Sequence, residues 1–493
     1  MPNNNKTTSK LANVTVLSTM IAAIVLANST YAAPPPISIA AGAGDNNAVS
    51  SNSLFGFVDG IDRSNNLLGD MWGARSELSK YGMTFSLQET SESLGNVTGG
   101  TQKGFEYDGL TQAVLQLNTQ RAFGWHGGLF NVSALQIHGK NLSSNNLQSL
   151  QTASGIEADR GFRLWELWYD QKFLDEDRLD LKVGQQSVDQ EFIVSSNSLM
   201  FVNTMFGWPM LPSANMPGGG PAYPLSALGI RLSARPIDGM TVLAGVFNGS
   251  PTGKSTDGDP QQINKHGVSF PLGDGTLTMV ELQFSYPALG SMVQADEDAP
   301  LGRTYRIGAW YNSQQFADQR FNQAGLPLAN PNNDQNALQH HGNFSYYAVA
   351  DQLVWRDAQE LNRTLAVFAR AMATPLADRN LIDASLNVGL VLHCPFAYRT
   401  TDSIGLAFSY AHVSNRASGL DRDTAQYNAT YNPARTSEKL VELTYQYQVK
   451  PWLQLQPDIQ YVINPGGGLA NPNDIGHRIK NELVLGLRTN IAF

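Results

Sequence analysis

The feature that most constrains this chain is a rhythm: short segments in which apolar and polar residues alternate, recurring almost to the last residue. In LQLQPDIQYVI, Leu453, Leu455, Pro457, Ile459 and Tyr461 oppose Gln454, Gln456, Asp458 and Gln460. In LDLKVGQ, Leu179, Leu181 and Val183 oppose Asp180, Lys182 and Gly184. In TMVELQFSY, Val280, Leu282, Phe284 and Tyr286 oppose Glu281, Gln283 and Ser285. The closing NELVLGLRTNIAF sets Leu483, Leu485, Leu487, Thr489, Ile491 and Phe493 against Val484, Gly486, Arg488 and Asn490. A period of two puts neighbouring side chains on opposite faces of a strand. Strands are predicted at 83–90, 105–119, 127–139, 162–173, 178–186, 226–236, 240–248, 276–287, 303–313, 344–356, 362–374, 385–396, 402–413, 437–449, 451–463 and 481–493, sixteen in all.

Alternation does not say which face is wet. A soluble sheet turns its apolar face to a core; a transmembrane barrel turns it to lipid and keeps the polar face around a wet lumen. The connections separate the two. They run long (91–104), short (120–126), long (140–161), short (174–177), very long (187–225) and short (237–239), and the alternation continues through 414–436 and 464–480, with 288–302 too long for its place. Short turns at one end and long loops at the other are the layout of an outer-membrane barrel with both termini at the short-turn end. A lipid-exposed sheet leaves no edge unpaired, so the last strand is expected to close on the first. Arg488 then faces the lumen, and Tyr445, Tyr447, Trp452 and Tyr461 are expected to extend an aromatic girdle.

Composition and the first residues agree with export. Charged residues are 15% of the chain, low for a soluble protein, and the net charge of −9 argues against a nucleic-acid partner. Lys6 and Lys10 precede the apolar run LANVTVLSTMIAAIVLA, and STYAA follows, the pattern of a signal peptide (1–32) cut after Ala32 or Ala33. Residues 33–69 read as a flexible arm and 70–493 as the barrel. Asp70 is placed to cap a short helix carrying Trp72, Arg75, Leu78 and Tyr81; Arg75 lines the lumen or the periplasmic mouth if this helix plugs the barrel's base, and otherwise belongs to a surface helix with Trp72 against the rim. The single cysteine, Cys394, allows no internal disulfide and reads as a packing residue.

At this point KLVELTYQYQVKPWLQLQPDIQYVINPGG followed by LGLRTNIAF resembles the C-terminal signature of the carbohydrate-selective porins of the OprB type. MWGARSELSKYGMTF, RLWELWYDQKF, LDLKVGQQSVDQEF and GPAYPLSALGIRL resemble earlier motifs of that family, in the same order. The resemblance covers roughly 70–493. It implies an all-β, sixteen-stranded antiparallel barrel in the bacterial outer membrane that passes mono- or disaccharides by diffusion, with no cofactor or metal. It also implies delivery to a barrel-assembly machinery through the strand ending at Phe493. Association into a homotrimer stays open.

The third long connection, SVDQEFIVSSNSLMFVNTMFGWPMLPSANMPGGGPAYPLS, is too apolar for a solvated loop, and the lumen is where it can bury itself. In sixteen-stranded porins that loop narrows the barrel. Trp208 and Tyr223 are the candidates for presenting a ring to the solute, the other apolar side chains anchoring the loop. A pyranose offers apolar C–H faces to rings and paired hydroxyls to arginine and carboxylate groups. Alternation places Glu166, Trp168, Arg231, Glu281, Arg306, Arg370, Glu442, Asp458 and Arg488 on inward faces. Glu166, Trp168 and Arg231 flank the loop and lead the candidates; the competing reading makes these charges a salt-bridge ladder that stiffens the wall.

Other motifs carry less. NGSPTGKST fails the phosphate-loop spacing because Gly249 lies one residue too close to Gly253. His340 and His341 are adjacent and point opposite ways on a strand. DEDAP at 296–300 could attract Ca²⁺, though such a run is more often a solvated acidic turn. Two rival functions remain at this stage: an outer-membrane barrel enzyme of lipase or protease type, for which Ser409, His412 and Ser414 are the candidates, and an exported soluble carbohydrate-binding β-protein.

Overall fold

A computed structural model describes residues 65–253, 258–287 and 300–493. The predicted signal peptide, the arm up to residue 64 and residues 296–299 of DEDAP lie outside the described residues.

A seven-residue helix, α1 (Ala74–Lys80), opens the described chain. The strands then follow as β1 (Met83–Thr98), β2 (Gly104–Asn118), β3 (Gly128–Gly139), β4 (Gly161–Phe173), β5 (Leu179–Gln186), β6 (Ala227–Ile237), β7 (Met240–Asn248) and β8 (Thr276–Tyr286). The second half holds β9 (Arg303–Asn322), β10 (Ala337–Arg356), β11 (Thr364–Ala373), β12 (Ile382–His393), β13 (Ser403–Val413), β14 (Ser437–Lys450), β15 (Leu453–Ile463) and β16 (Glu482–Ala492), with a helix α2 (Asn415–Asn428) between β13 and β14. Each strand pairs antiparallel with its sequence neighbours, and β1 pairs with β16 from Gln88↔Ala492 to Thr98↔Leu483, closing a sixteen-stranded barrel. No backbone edge is left for lipid to meet.

The wall alternates as the sequence requires. On β15, Ile459 and Tyr461 are exposed while Gln456, Asp458 and Gln460 are buried; on β8, Val280, Phe284 and Tyr286 are exposed and Glu281 and Gln283 are buried. The outward set forms an apolar band, and the inward set a polar lumen. Aromatic side chains mark both rims. Tyr447 sits at the short-turn rim, whereas Tyr461, opposite Leu483 and beside Asn481, belongs to the long-loop rim, because β15 runs away from its turn.

The extents depart from expectation in places. β1 continues to Thr98, and β9 and β10 are 20 residues each. About 9–11 tilted residues cross a bilayer, so the β9–β10 hairpin stands well above the membrane. There both faces meet water and alternation no longer marks the strand. Helix α2 braces this hairpin: Arg320 on β9 pairs with Asp423 at 2.7 Å, and Arg416 with Asp318 at 2.7 Å.

Helix α1 does not plug the lumen. Gly73, at φ 91°, begins it, and Asp70 accepts from the Ser76 amide at 2.9 Å. Trp72 is 82% exposed, whereas Arg75 is buried and donates to the carbonyls of Gly69 and Phe493. The Phe493 amide donates to Leu87 at 2.9 Å, so α1 latches the end of β16 to the start of β1. Cys394 is buried in a short turn, its thiol donating to Thr400 O at 2.8 Å.

Candidate functional site

The connection from β5 to β6, residues 187–226, folds into the barrel. Its Phe192, Met205, Trp208, Met210 and Leu211 pack against Leu243, Phe247, Leu277, Met279, Trp310 and Tyr347 of the wall. Met200, Phe201 and Phe206 pack against Phe368, Val391, Ala407 and Leu440. Each large apolar side chain taken out of water contributes about 1.5–3 kcal/mol, which is why so greasy a connection cannot stay outside. A second inward loop, 140–160, was not anticipated. Its Leu142, Leu147 and Ala153 join Leu94, Val202 and Val484 in one cluster, and Glu438 accepts from the amides of Leu150 and Gln151 at 2.8 and 2.7 Å. Only scattered apolar residues in a Ser- and Asn-rich stretch signalled it.

Most of the predicted inward charges hold the loop 187–226 by its backbone. Arg370 is 1% exposed and donates to the carbonyls of Ile193, Gly207 and Met205 at 3.1, 3.0 and 2.5 Å. Glu442, fully buried, accepts from the Val202 and Asn203 amides at 2.6 and 3.1 Å. Arg488 pairs with Glu92 and reaches Val202 O at 3.3 Å. Glu281 accepts from the Ile193 amide at 2.8 Å. Arg306 meets Asp351 at 2.9 Å, and Asp351 also accepts from Ser195 Oγ at 2.7 Å and the Asn197 amide at 3.2 Å. Arg370, Glu442 and Arg488 therefore face inward but are covered by the loop they clamp, and Arg306, which acts on that loop through Asp351, is buried with them; none of the four borders the open lumen.

Trp208 and Tyr223 are corrected more sharply. Both are fully enclosed, with Trp208 Nε1 donating to Gly219 O at 2.9 Å and Tyr223 Oη to Ile156 O at 2.9 Å. They hold the loop's own shape and tie it to its neighbour. Apolar composition tells that the loop is buried, not which ring would stay open.

The remaining candidates, Glu166, Trp168 and Arg231, converge. Glu166 accepts from the Ser187 amide at 3.1 Å, where the loop leaves the wall. Across the sheet, Trp168 stands opposite Gly184, Asp170 opposite Lys182, and Lys182 opposite Arg231. Gly184 has φ 138°, and a Cβ there would lie 2.7 Å from Trp168 Cα; the absent side chain lets the β4 backbone at Trp168 approach this closely. Lys182 Nζ sits 4.3 Å from the Trp168 ring centroid. Arg231 is ringed by Asp170 at 3.7 Å, Asp180 and Glu191, and Lys182 also meets Glu191. Trp168 is half-buried, and Asp180 and Glu191 keep 22% and 19% side-chain exposure, so this cluster, on the short-turn side of the loop, still opens to the lumen.

Two loop carboxylates here are tuned in opposite senses. Burial pushes Asp189 up to about 6, against the bonds it accepts from Ser187 Oγ and the Tyr223 amide. Burial also acts upward on Glu191, but Lys182 and Arg231 outweigh it and hold that carboxyl below its ordinary value.

Arg163 escaped the sequence reading. In the β3–β4 ladder Glu166 faces Ser133 and Leu164 faces Ala134, so Trp165 is an inserted residue, a β-bulge. The bulge switches parity, turning Arg163 inward, where it donates to Pro224 O at 3.1 Å and Gln261 O at 2.8 Å. The rival candidates do not converge: Ser409 faces inward and accepts from Asn387 Nδ2 at 2.8 Å, His412 faces outward with Asp383 at 2.6 Å, and Ser414 caps α2. Among the described residues no group of three or more His, Cys, Asp or Glu is arranged to hold a metal ion.

Comparison with known proteins agrees on one class. Residues 102–493 match the carbohydrate-selective porin, OprB family. The chain is 26% identical over 446 residues to Porin B of Pseudomonas aeruginosa, covering 87% of this chain and 91% of that one. It is 23% identical over 420 residues to the putative porin QuiX of Acinetobacter baylyi, covering 81% and 89%. Among solved structures it is similar to Pseudomonas putida OprB at high pH, with a TM-score of 0.73 at 23% identity, covering 87% of this chain and 99% of that one.

Proposed function

The chain belongs to the carbohydrate-selective porin family of the bacterial outer membrane, and from that premise we propose that small neutral sugars diffuse through its lumen past the cluster of Trp168, Lys182, Arg231, Asp180 and Glu191. The observation that carries this reading is the half-open indole of Trp168, backed by Lys182 at 4.3 Å and flanked by carboxylates that keep residual exposure. A sugar lays an apolar face on the ring and its hydroxyls on the charged groups, while each contact stays weak enough to release it. Arg231 and Lys182 are outnumbered by Asp170, Asp180 and Glu191 around them, which favours neutral over anionic solutes. Passage needs no catalytic group, and the reading assigns none. Recognition of the strand ending at Phe493 by an assembly machinery belongs to the same reading.

The test is single-channel current in a planar bilayer with added mono- and disaccharides. The expected result is dose-dependent block that weakens several-fold in Trp168→Ala and in Lys182→Met. Current unaffected by every sugar in the native protein would defeat the reading. Block of native strength in both variants would place the solute elsewhere in the lumen.

A further inference from the structure

On the short-turn side of the constriction the lumen has two unlike walls. On β4–β6 it carries Trp168, Lys182, Arg231 and their carboxylates. On β14–β16 and β1 it is neutral: below Glu92, Arg488 and Asp458 every inward position is uncharged, as far as Gln448 on β14.

Thr90, Asn490, Gln454 and Gln448 stand in direct register on that wall, one to a strand. They form a head-to-tail chain. Thr90 Oγ1 donates to Asn490 Oδ1 at 2.8 Å, Asn490 Nδ2 to Gln454 Oε1 at 2.9 Å, and Gln454 Nε2 to Gln448 Oε1 at 3.3 Å. Gln448 Nε2 ends the chain on Lys450 O at 2.6 Å, where β14 meets its short turn. At the other end Thr90 lies one inward position below Glu92, whose partner Arg488 reaches Val202 O of the constriction loop at 3.3 Å. The chain thus runs from the constriction to the periplasmic mouth. Register partners on tilted strands lie along a slope rather than a ring, and three strand spacings make this one roughly 14 Å long.

An amide carries two N–H groups and two carbonyl lone pairs. Asn490 and Gln454 each use one of each within the chain and are only half-buried, so each keeps an N–H and a lone pair for the lumen. Hydrogen bonds that all run one way polarise one another and strengthen the groups left over. Such a row suits one chemistry. A sugar hydroxyl, like an amide, both gives and takes a hydrogen bond, and it can trade one partner for the next along the row. A carboxylate or an ammonium meets no opposite charge there. Neutral contacts are individually weak, which lets the solute move on.

We propose that this row is a second solute subsite, a neutral track along which an uncharged, polyhydroxylated solute passes between the constriction and the periplasmic mouth. It rests on the reading that sugars use this lumen, and adds to it a place and a chemistry remote from Trp168.

The experiment is single-channel recording with glucose added to one face of the bilayer and then to the other. Native channels are expected to be blocked from both faces. Gln454→Leu with Asn490→Leu, which keeps a heat-modifiable barrel and its sugar-free conductance, is expected to slow glucose entry from one face only, because the track lies on one side of the constriction. The expected slowing is about three- to tenfold, the loss of a neutral hydrogen bond from the path. Gln454→Leu alone is expected to give a smaller slowing at the same single face, whereas Trp168→Ala weakens block from both. Native block with unchanged rates in the double variant, or slowing of equal size from both faces, would overturn the track and leave binding at Trp168 standing. Native channels that glucose blocks from neither face would overturn both readings.

Discussion

Asp351→Asn is the sharpest test of the claim that wall charges clamp the constriction loop. Asp351 neutralises Arg306 at 2.9 Å, and both side chains are 10% exposed or less. It also holds Ser195 Oγ and the amides of Ser196 and Asn197 at 2.7, 3.3 and 3.2 Å. Breaking a buried pair by removing one partner costs about 3–5 kcal/mol. Glu281, 3.9 Å from Arg306, retains part of the compensation, which puts the loss near the lower end, at about 3 kcal/mol. At about 1.4 kcal/mol per decade, local opening of the 195–197 turn rises on the order of a hundredfold. Hydrogen–deuterium exchange of that segment reads this directly, and single-channel recordings are expected to show added current noise while the barrel keeps its heat-modifiable mobility. Replacing both charges, as Asp351→Asn with Arg306→Met, is expected to recover more than half of the lost protection, because no unpaired charge is left behind. Exchange at 195–197 unchanged in the single variant, or additive loss in the double, would refute the clamp.

Three further outcomes follow from the geometry. Gly184→Ala places a Cβ against the Trp168 backbone at a positive φ; the strain, about 1–3 kcal/mol, is expected to displace the indole and weaken sugar block, while Gly161→Ala, with no atom near its Cβ position, leaves block intact. Arg75→Ala releases the carbonyls of Gly69 and Phe493 and is expected to lower the barrel's unfolding temperature by a loss of about 2 kcal/mol without altering conductance. Asp189, raised to about 6, contributes docking stability that is present below the ordinary carboxyl range and lost as pH rises through about 6; loop protection measured by exchange is expected to fall across that window, and Asp189→Asn to flatten it.

The strands were legible because each β-strand of a membrane barrel stands between lipid and water, and that contrast is written locally, residue by residue, as in LQLQPDIQYVI. Legibility stopped where the contrast stops. Above the bilayer the β9–β10 hairpin is wet on both faces, so its outer halves read as loop, and α2 lay within a connection rather than on the wall. Parity carried Glu442, Arg370 and Arg488 to the correct face, but alternation is blind to what covers that face, so residues that clamp a loop were indistinguishable from residues that meet a solute. The bulge at Trp165 hid Arg163 for the opposite reason: one inserted residue reverses parity without changing composition. The outward Glu89–His138 pair was visible as polar residues in β1 and β3, yet only the register shows that they meet.

The central claim is that the lumen passes sugars by favouring them at Trp168 and its charged neighbours rather than by sieving alone. Liposome swelling with solutes matched in size measures this most directly, comparing a neutral hexose, its carboxylate-bearing oxidation product and a zwitterionic solute of similar mass. The account predicts the fastest swelling with the neutral hexose, the slowest with the anion, and a narrowed gap in Trp168→Ala. Rates ordered by size alone, unchanged by that substitution, would contradict it.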